Sequence, residues 1–216
     1  MIRFPDSTYL NKNVPKSAFY KHLEVNATIK RHFVDDVDKI VWTNKFTSST
    51  INVSKGKTVQ EITLFTMWMK VRTIPLDMLA FIDKNLPRHT LFLLTYENDV
   101  CAVINYKEAV QGNTGNAFHI TKTYHTDWIK QEELSLHLEG TSMDAVYEGF
   151  VRQIAGGKIT STTGTLCVDV EQSEKKEQLR KEAEKLRKKT FSEKNPTKKF
   201  ALHKQLKDLE KQLNIF

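Results

Sequence analysis

Helical spacing opens the chain. Phe19, Tyr20 and Leu23 follow Pro15 along one helical face, and Ile29 and Phe33 lie four apart. Pro15 suits a first turn, where its missing N–H is not needed, so a short helix after Pro15 and a second over about 27–34 are predicted. The period then changes to two. Ile40, Trp42, Asn44 and Phe46 share one parity, which predicts a strand. Thr47-Ser48-Ser49-Thr50 interrupts it, Ser54-Lys55-Gly56-Lys57 reads as a turn, and residues 59–70 read as a second strand, a hairpin partner of the first. Pro75 opens a helix to Asn85 with Leu76, Leu79 and Ala80 on one face, and Leu86-Pro87 ends it.

The clearest pattern comes next. Residues 90–96 and 100–106 are apolar, β-rich runs separated by Glu97-Asn98-Asp99, a hairpin of buried strands. Residues 112–116 read as a loop, and Phe118, Ile120, Lys122, Tyr124 and Thr126 alternate as a further strand ending at Trp128. Leu134, Leu136 and Leu138 form a short strand-like run. Ser142 is placed to cap a helix carrying Met143, Val146, Tyr147, Phe150, Val151 and Ile154, which Gly156-Gly157 stops. Residues 158–172, rich in Ser and Thr, read as a connector. Two helices follow, split at Asn195-Pro196. Leu202, Leu206, Leu209 and Leu213 stand four, three and four apart in the second, a coiled-coil-like seam suited to a partner subunit, to a homodimer, or to folding back. The expectation is an α+β protein: a mixed, largely antiparallel sheet flanked by helices in a body over 1–172, then a basic helical tail over 173–216.

Charge sharpens this division. Residues 174–216 hold 14 Lys/Arg and 7 Asp/Glu, which accounts for the whole net charge of +7, while residues 1–173 hold 19 of each. A cationic extension on a neutral body suits an anionic partner, nucleic acid first, through Lys181, Lys185, Lys188, Lys189, Lys198 and Lys199. A solvated helix of mixed charge accounts for the same residues, since Glu174, Glu177, Glu182 and Glu184 lie among the lysines. Phe191 and Phe200 are the tail's aromatics before its last residue, too sparse a pattern to indicate base stacking. Cys101 and Cys167, 66 residues apart, form no disulfide framework or CxxC pair and read as buried thiols in strand-like runs. With no leader pattern at the start and no run near the ~20 apolar residues of a membrane helix, the chain reads as cytoplasmic, with no membrane contact.

Candidate chemistry is sparse. Gly156-Gly157-Lys158-Ile159-Thr160 lacks the first glycine of a phosphate loop and follows a helix, so it reads as a helix terminus. His119, His125 and Asp127 share parity, but the two histidines are six residues apart, roughly 20 Å on a strand at ~3.3 Å per residue, too far for one metal. No metal or other cofactor is expected. Asp99 and Lys107 flank a strand with Asn105 two before the lysine, a pattern related to the acid, then acid-x-lysine of metal-dependent nucleases. Asn105 is neutral where the second carboxylate should stand, so these two are weak catalytic candidates and a non-enzymatic role is favoured over a divergent Mg²⁺-dependent nuclease.

Several stretches in order resemble one bacterial and archaeal family, domain of unknown function 4391. They are Val14-Pro15-Lys16 with Phe19-Tyr20; Ile40-Val41-Trp42 with Thr50-Ile51-Asn52; Leu86-Pro87 and the strand after it; Ile104-Asn105-Tyr106-Lys107; Trp128; Leu138-Glu139-Gly140 with Tyr147-Glu148; and residues 198–213. The family is methylase-associated: its members are often encoded beside DNA methylase and helicase genes of restriction-modification or phage-defence clusters. The resemblance therefore implies an accessory or adaptor protein with a methylase or helicase subunit as partner, and it supplies no catalytic residues.

Overall fold

The computed structural model describes residues 3–21, 25–109, 118–159 and 165–213. Leu23, Thr160 and the loop expected over 112–116 lie outside them. The described residues divide into two compact units, Met1–Gly156 and Gly157–Phe216.

The first unit runs β1 (Tyr9–Asn13), α1 (Ser17–Lys21), α2 (Ala27–Arg31), β2 (Val37–Thr47), β3 (Glu61–Met69), α3 (Leu76–Lys84), β4 (His89–Tyr96), β5 (Asp99–Ala109), β6 (Phe118–His125), β7 (Ile129–Lys130) and α4 (Met143–Ala155). The strands form one seven-stranded sheet in the order β1-β2-β3-β4-β5-β6, with β7 also on β5. β3 and β4 pair in parallel through the α3 crossover, and the other pairs are antiparallel. The class is α+β, as expected, with hairpins β2–β3 and β4–β5 where the alternation put them. The β4–β5 turn is tighter than expected. Tyr96 pairs with Asp99, so the loop is Glu97-Asn98 alone, with Glu97 at φ 51°.

One expectation about faces needs correction. Ile40 and Trp42 lie opposite Met67 and Phe65, whereas Asn44 and Phe46 lie opposite Leu64 and Ile62. Partners across a ladder share a face, and one extra residue at Thr43 flips the rest of β2. Its first half therefore joins a core of Phe33, Phe65, Met67, Phe92 and Leu94 with Met78, Leu79 and Ile82 of α3. Its second half turns Phe46 to α4, where the ring meets Phe150 at 5.7 Å and Phe4 at 4.9 Å. Full burial of each such ring contributes about 1.5–3 kcal/mol. Between β7 and α4, Leu134 and Leu136 are buried without belonging to a strand, and Ile129–Lys130 pairs instead. Ser142 caps α4 by accepting from the Ala145 amide, and Gly156 ends it at φ 55°.

The second unit holds α5 (Leu166–Ser192) and α6 (Pro196–Leu213). α5 begins seven residues before the helix expected from Ser173, so it takes in part of the stretch read as a connector, and Cys167 lies half-buried on a helix rather than in a strand. The compact division also falls after Gly156 rather than at 172. Among the described residues no helix is long and apolar enough to cross a membrane.

Candidate functional site

Lys107 and Asn105 sit on β5 below α3, and both are buried. Helix α3 ends at Lys84, leaving carbonyls without helical partners. Lys107 Nζ donates to the carbonyls of Asp83 (2.6 Å) and Arg88 (2.7 Å), lies 3.4 Å from that of Leu86, and stands 2.7 Å from Asp83 Oδ1. An ammonium has three protons to give; the three carbonyls take the hydrogen bonds, and Asp83 Oδ1 meets the ammonium as a charge contact. Asn105 Nδ2 donates to Asp83 Oδ2 at 2.9 Å, while its Oδ1 accepts from Thr123 on β6 at 2.7 Å. Burial pushes the Asp83 carboxyl up, and Lys107 with its neighbours draws it part of the way back. Burial likewise lowers the Lys107 ammonium against the pull of Asp83.

A cleft of about 310 Å³ opens beside this network, lined by Lys57, His89, Tyr106, Glu108, Asp144 and Tyr147 among others. The Tyr147 hydroxyl donates to the Asn105 carbonyl and accepts from the Lys107 amide, where the β5–β6 register shifts. Its phenol is fully buried and held well above the usual tyrosine range by that burial. His89 stacks edge-on to Tyr147 at 4.4 Å and to Phe118 at 5.0 Å, and its buried Nε2 has no hydrogen-bond partner among the described residues. Burial, and then the nearby Lys107 charge, lower its pKa to about 3. The Asp144 carboxylate accepts from the amides of Lys57, Thr58 and Val59. Burial works to raise its pKa, and the three N–H donors outweigh this and hold it low. The cleft thus sets a neutral imidazole and a phenol beside the ionised Asp144, and among the described residues His89 Nε2 is its nitrogen without a hydrogen-bond partner.

The two catalytic candidates are not brought together. Asp99 is at the other end of β5, eight residues or roughly 26 Å away along a strand, where it pairs with Lys130 (2.6 Å) and Arg72 (3.1 Å). The lysine's carboxylate partner is Asp83, which sequence spacing could not find because α3 and β5 meet only in space. His125 Nδ1 lies 2.9 Å from the Thr126 carbonyl, and the described residues contain no group of three or more ligand-type side chains able to hold a metal.

On the hairpin α5–α6, Glu193-Lys194-Asn195 form the bend. Arg187 and Glu210 pair at 2.7 Å across the helices, and Leu186 and Leu209 line one groove between them. This register sets Leu206 near Thr190 and Leu213 near Ala183. Leu206, Thr190 and Ala183 are buried, whereas Leu202, Leu209 and Leu213 are half-buried. The leucine stripe is therefore turned to the neighbouring helix of its own chain. The six candidate lysines, Lys181, Lys185, Lys188, Lys189, Lys198 and Lys199, are all exposed. Lys181 pairs with Glu177 and Lys188 with Glu184, each one turn away on the same helix. Among the described residues, Lys185, Lys189, Lys198 and Lys199 have no acidic partner.

The model of one family, described as domain of unknown function (DUF4391), matches residues 2–213 of the 216. The chain belongs to the DUF4391 family. No curated protein and no solved structure shows a significant match to it. The match to DUF4391 runs through both units, so the cationic hairpin falls within the family's extent along with the sheet.

Proposed function

We propose that the protein is a non-enzymatic accessory component of a DNA-modifying defence system, acting in the cytoplasm, and that it holds nucleic acid through the outer surface of the α5–α6 hairpin. The supporting observation is the division of labour along that hairpin. Leu206 is buried and Leu209 lines the groove between the helices, while the lysines that carry the chain's charge excess stand exposed, four of the six candidates forming no ion pair among the described residues. A DNA methylase or helicase subunit is the partner that the family resemblance suggests. The groove floored by Leu186 and Leu209 offers it a narrower foothold than the full leucine stripe would.

Titration of a short duplex with the full chain tests the reading. Contact with about four phosphates weakens binding roughly a hundredfold between 50 and 200 mM salt. Replacing Lys185, Lys189, Lys198 and Lys199 with glutamate abolishes it. Affinity indifferent to salt and to these four changes would remove the proposal.

A further inference from the structure

Two aromatic side chains of the hairpin have no structural employment. Phe191 stands one residue before the end of α5 and is 87% exposed; Phe200 is the fifth residue of α6 and is 75% exposed. Along the sequence they are too sparse a pattern to indicate base stacking, yet the bend at 193–195 brings both to the same end of the hairpin. Packing does not account for them, because neither ring is covered, and phenylalanine is not a favoured helix former. The bend itself is ordered without them. Asn195 Oδ1 accepts from the amides of Thr197 (3.0 Å) and Lys198 (3.2 Å), and Glu193 Oε1 accepts from the Asn195 amide at 2.9 Å.

The tip is also the most cationic part of the hairpin. Residues 188–199 contain Lys188, Lys189, Lys194, Lys198 and Lys199 against Glu193 alone. Among the described residues only Lys188 of these five has an ion-pair partner. Flat apolar rings amid unmatched ammonium groups fit a chain of phosphates carrying accessible base faces. A duplex hides those faces in its stack and would use the lysines alone. A membrane-surface helix needs a continuous apolar face, and here the leucines of α6 line the inside of the hairpin instead.

We infer that the hairpin tip is a stacking site for unpaired bases, with Phe191 and Phe200 against base faces and Lys189, Lys194, Lys198 and Lys199 on the flanking phosphates. This rests on the nucleic-acid reading above and names the form of nucleic acid as single-stranded. Fluorescence anisotropy with the full chain, a 20-nucleotide oligothymidylate and a duplex of the same length tests it at one salt concentration. The F191A/F200A variant binds the single strand about tenfold more weakly and the duplex within about twofold of the parent. The F191Y/F200Y variant, whose rings still stack, restores single-strand binding. If the alanine variant leaves the single strand unaffected, or weakens both forms equally, the stacking site is wrong while lysine-dependent DNA binding stands. If neither form binds, the nucleic-acid reading fails with it. Binding to vesicles of anionic phospholipid that needs the two rings, without ring-dependent binding of the single strand, assigns the tip to a lipid surface and overturns the inference.

Discussion

Lys107 and Asp83 form an ion pair at 2.7 Å from which both side chains exclude water completely. Such a pair is costly to desolvate and costlier to break singly, because the survivor is left charged or forced neutral in a dry site. Lys107 additionally satisfies the carbonyls that end α3. K107M is expected to destabilise the protein by about 3–5 kcal/mol. K107M/D83N recovers only part of this, since the carbonyls of Asp83 and Arg88 remain without a donor. Urea unfolding of the two single variants and the double variant measures the coupling. Full recovery in the double would show that the carbonyl contacts contribute nothing.

His89 gives the fold a signed dependence on pH. Its pKa is about 3 in the folded chain against about 6.5 when unfolded. The neutral ring is the one the fold accepts, so the stability it contributes is fully present above pH 6.5. It is lost as pH falls towards 3, because the unfolded chain binds a proton the folded one refuses. The expected slope is about 1.4 kcal/mol per pH unit within that window. H89N should remove this part of the slope between pH 3 and 6.5 and leave the pH dependence above pH 7 as it is in the parent. Chemical denaturation of both proteins at pH 4.5, 5.5, 6.5 and 7.5 compares the two curves.

Alternation and breakers located β2 to β6, because these strands are bounded by turn residues and filled with β-branched and aromatic side chains, but they missed the edge strand β1 and the two-residue β7. What they could not reveal was register. The extra residue at Thr43 reverses the face of Phe46, and nothing in the local pattern marks it. The polar network was equally hidden. Asn105-Tyr106-Lys107 suggested a damaged metal site, but Asp83, 22 residues before Asn105, makes that asparagine a hydrogen-bond donor to a buried carboxylate. An aspartate there would have set two carboxylates against each other. On the hairpin the leucine spacing was legible, but its partner was not, since α5 offers Ala183, Leu186 and Thr190 rather than a matching leucine run.

The loop before β3 depends on close approach. A Cβ built on Gly56 would stand 2.3 Å from the Val59 carbonyl oxygen and 2.7 Å from Asp144 Oδ1. G56A should therefore push the loop off the Asp144 carboxylate and forfeit the hydrogen bonds to Lys57, Thr58 and Val59. D144A removes the same acceptor directly. Both variants are expected to lose about 1–3 kcal/mol, with faster amide hydrogen exchange at residues 57–59. Unchanged exchange there in D144A would show that the carboxylate does not hold the loop.

Leu206 separates the two roles assigned to the hairpin. It is 6% exposed, and the register of α5 and α6 sets it near Thr190. Truncation to alanine should cost about 2–5 kcal/mol for a buried leucine. The loss should be local to the hairpin and appear as an earlier loss of helical circular dichroism at 222 nm. The exposed lysines are untouched by this change, so at temperatures where the hairpin stays folded L206A should bind DNA as the parent does. A leucine that served instead as the anchor for another chain would behave in the opposite way. L206A would then leave the melting of the isolated protein unchanged and weaken only the complex, and that pattern would return the stripe to the role of a docking seam.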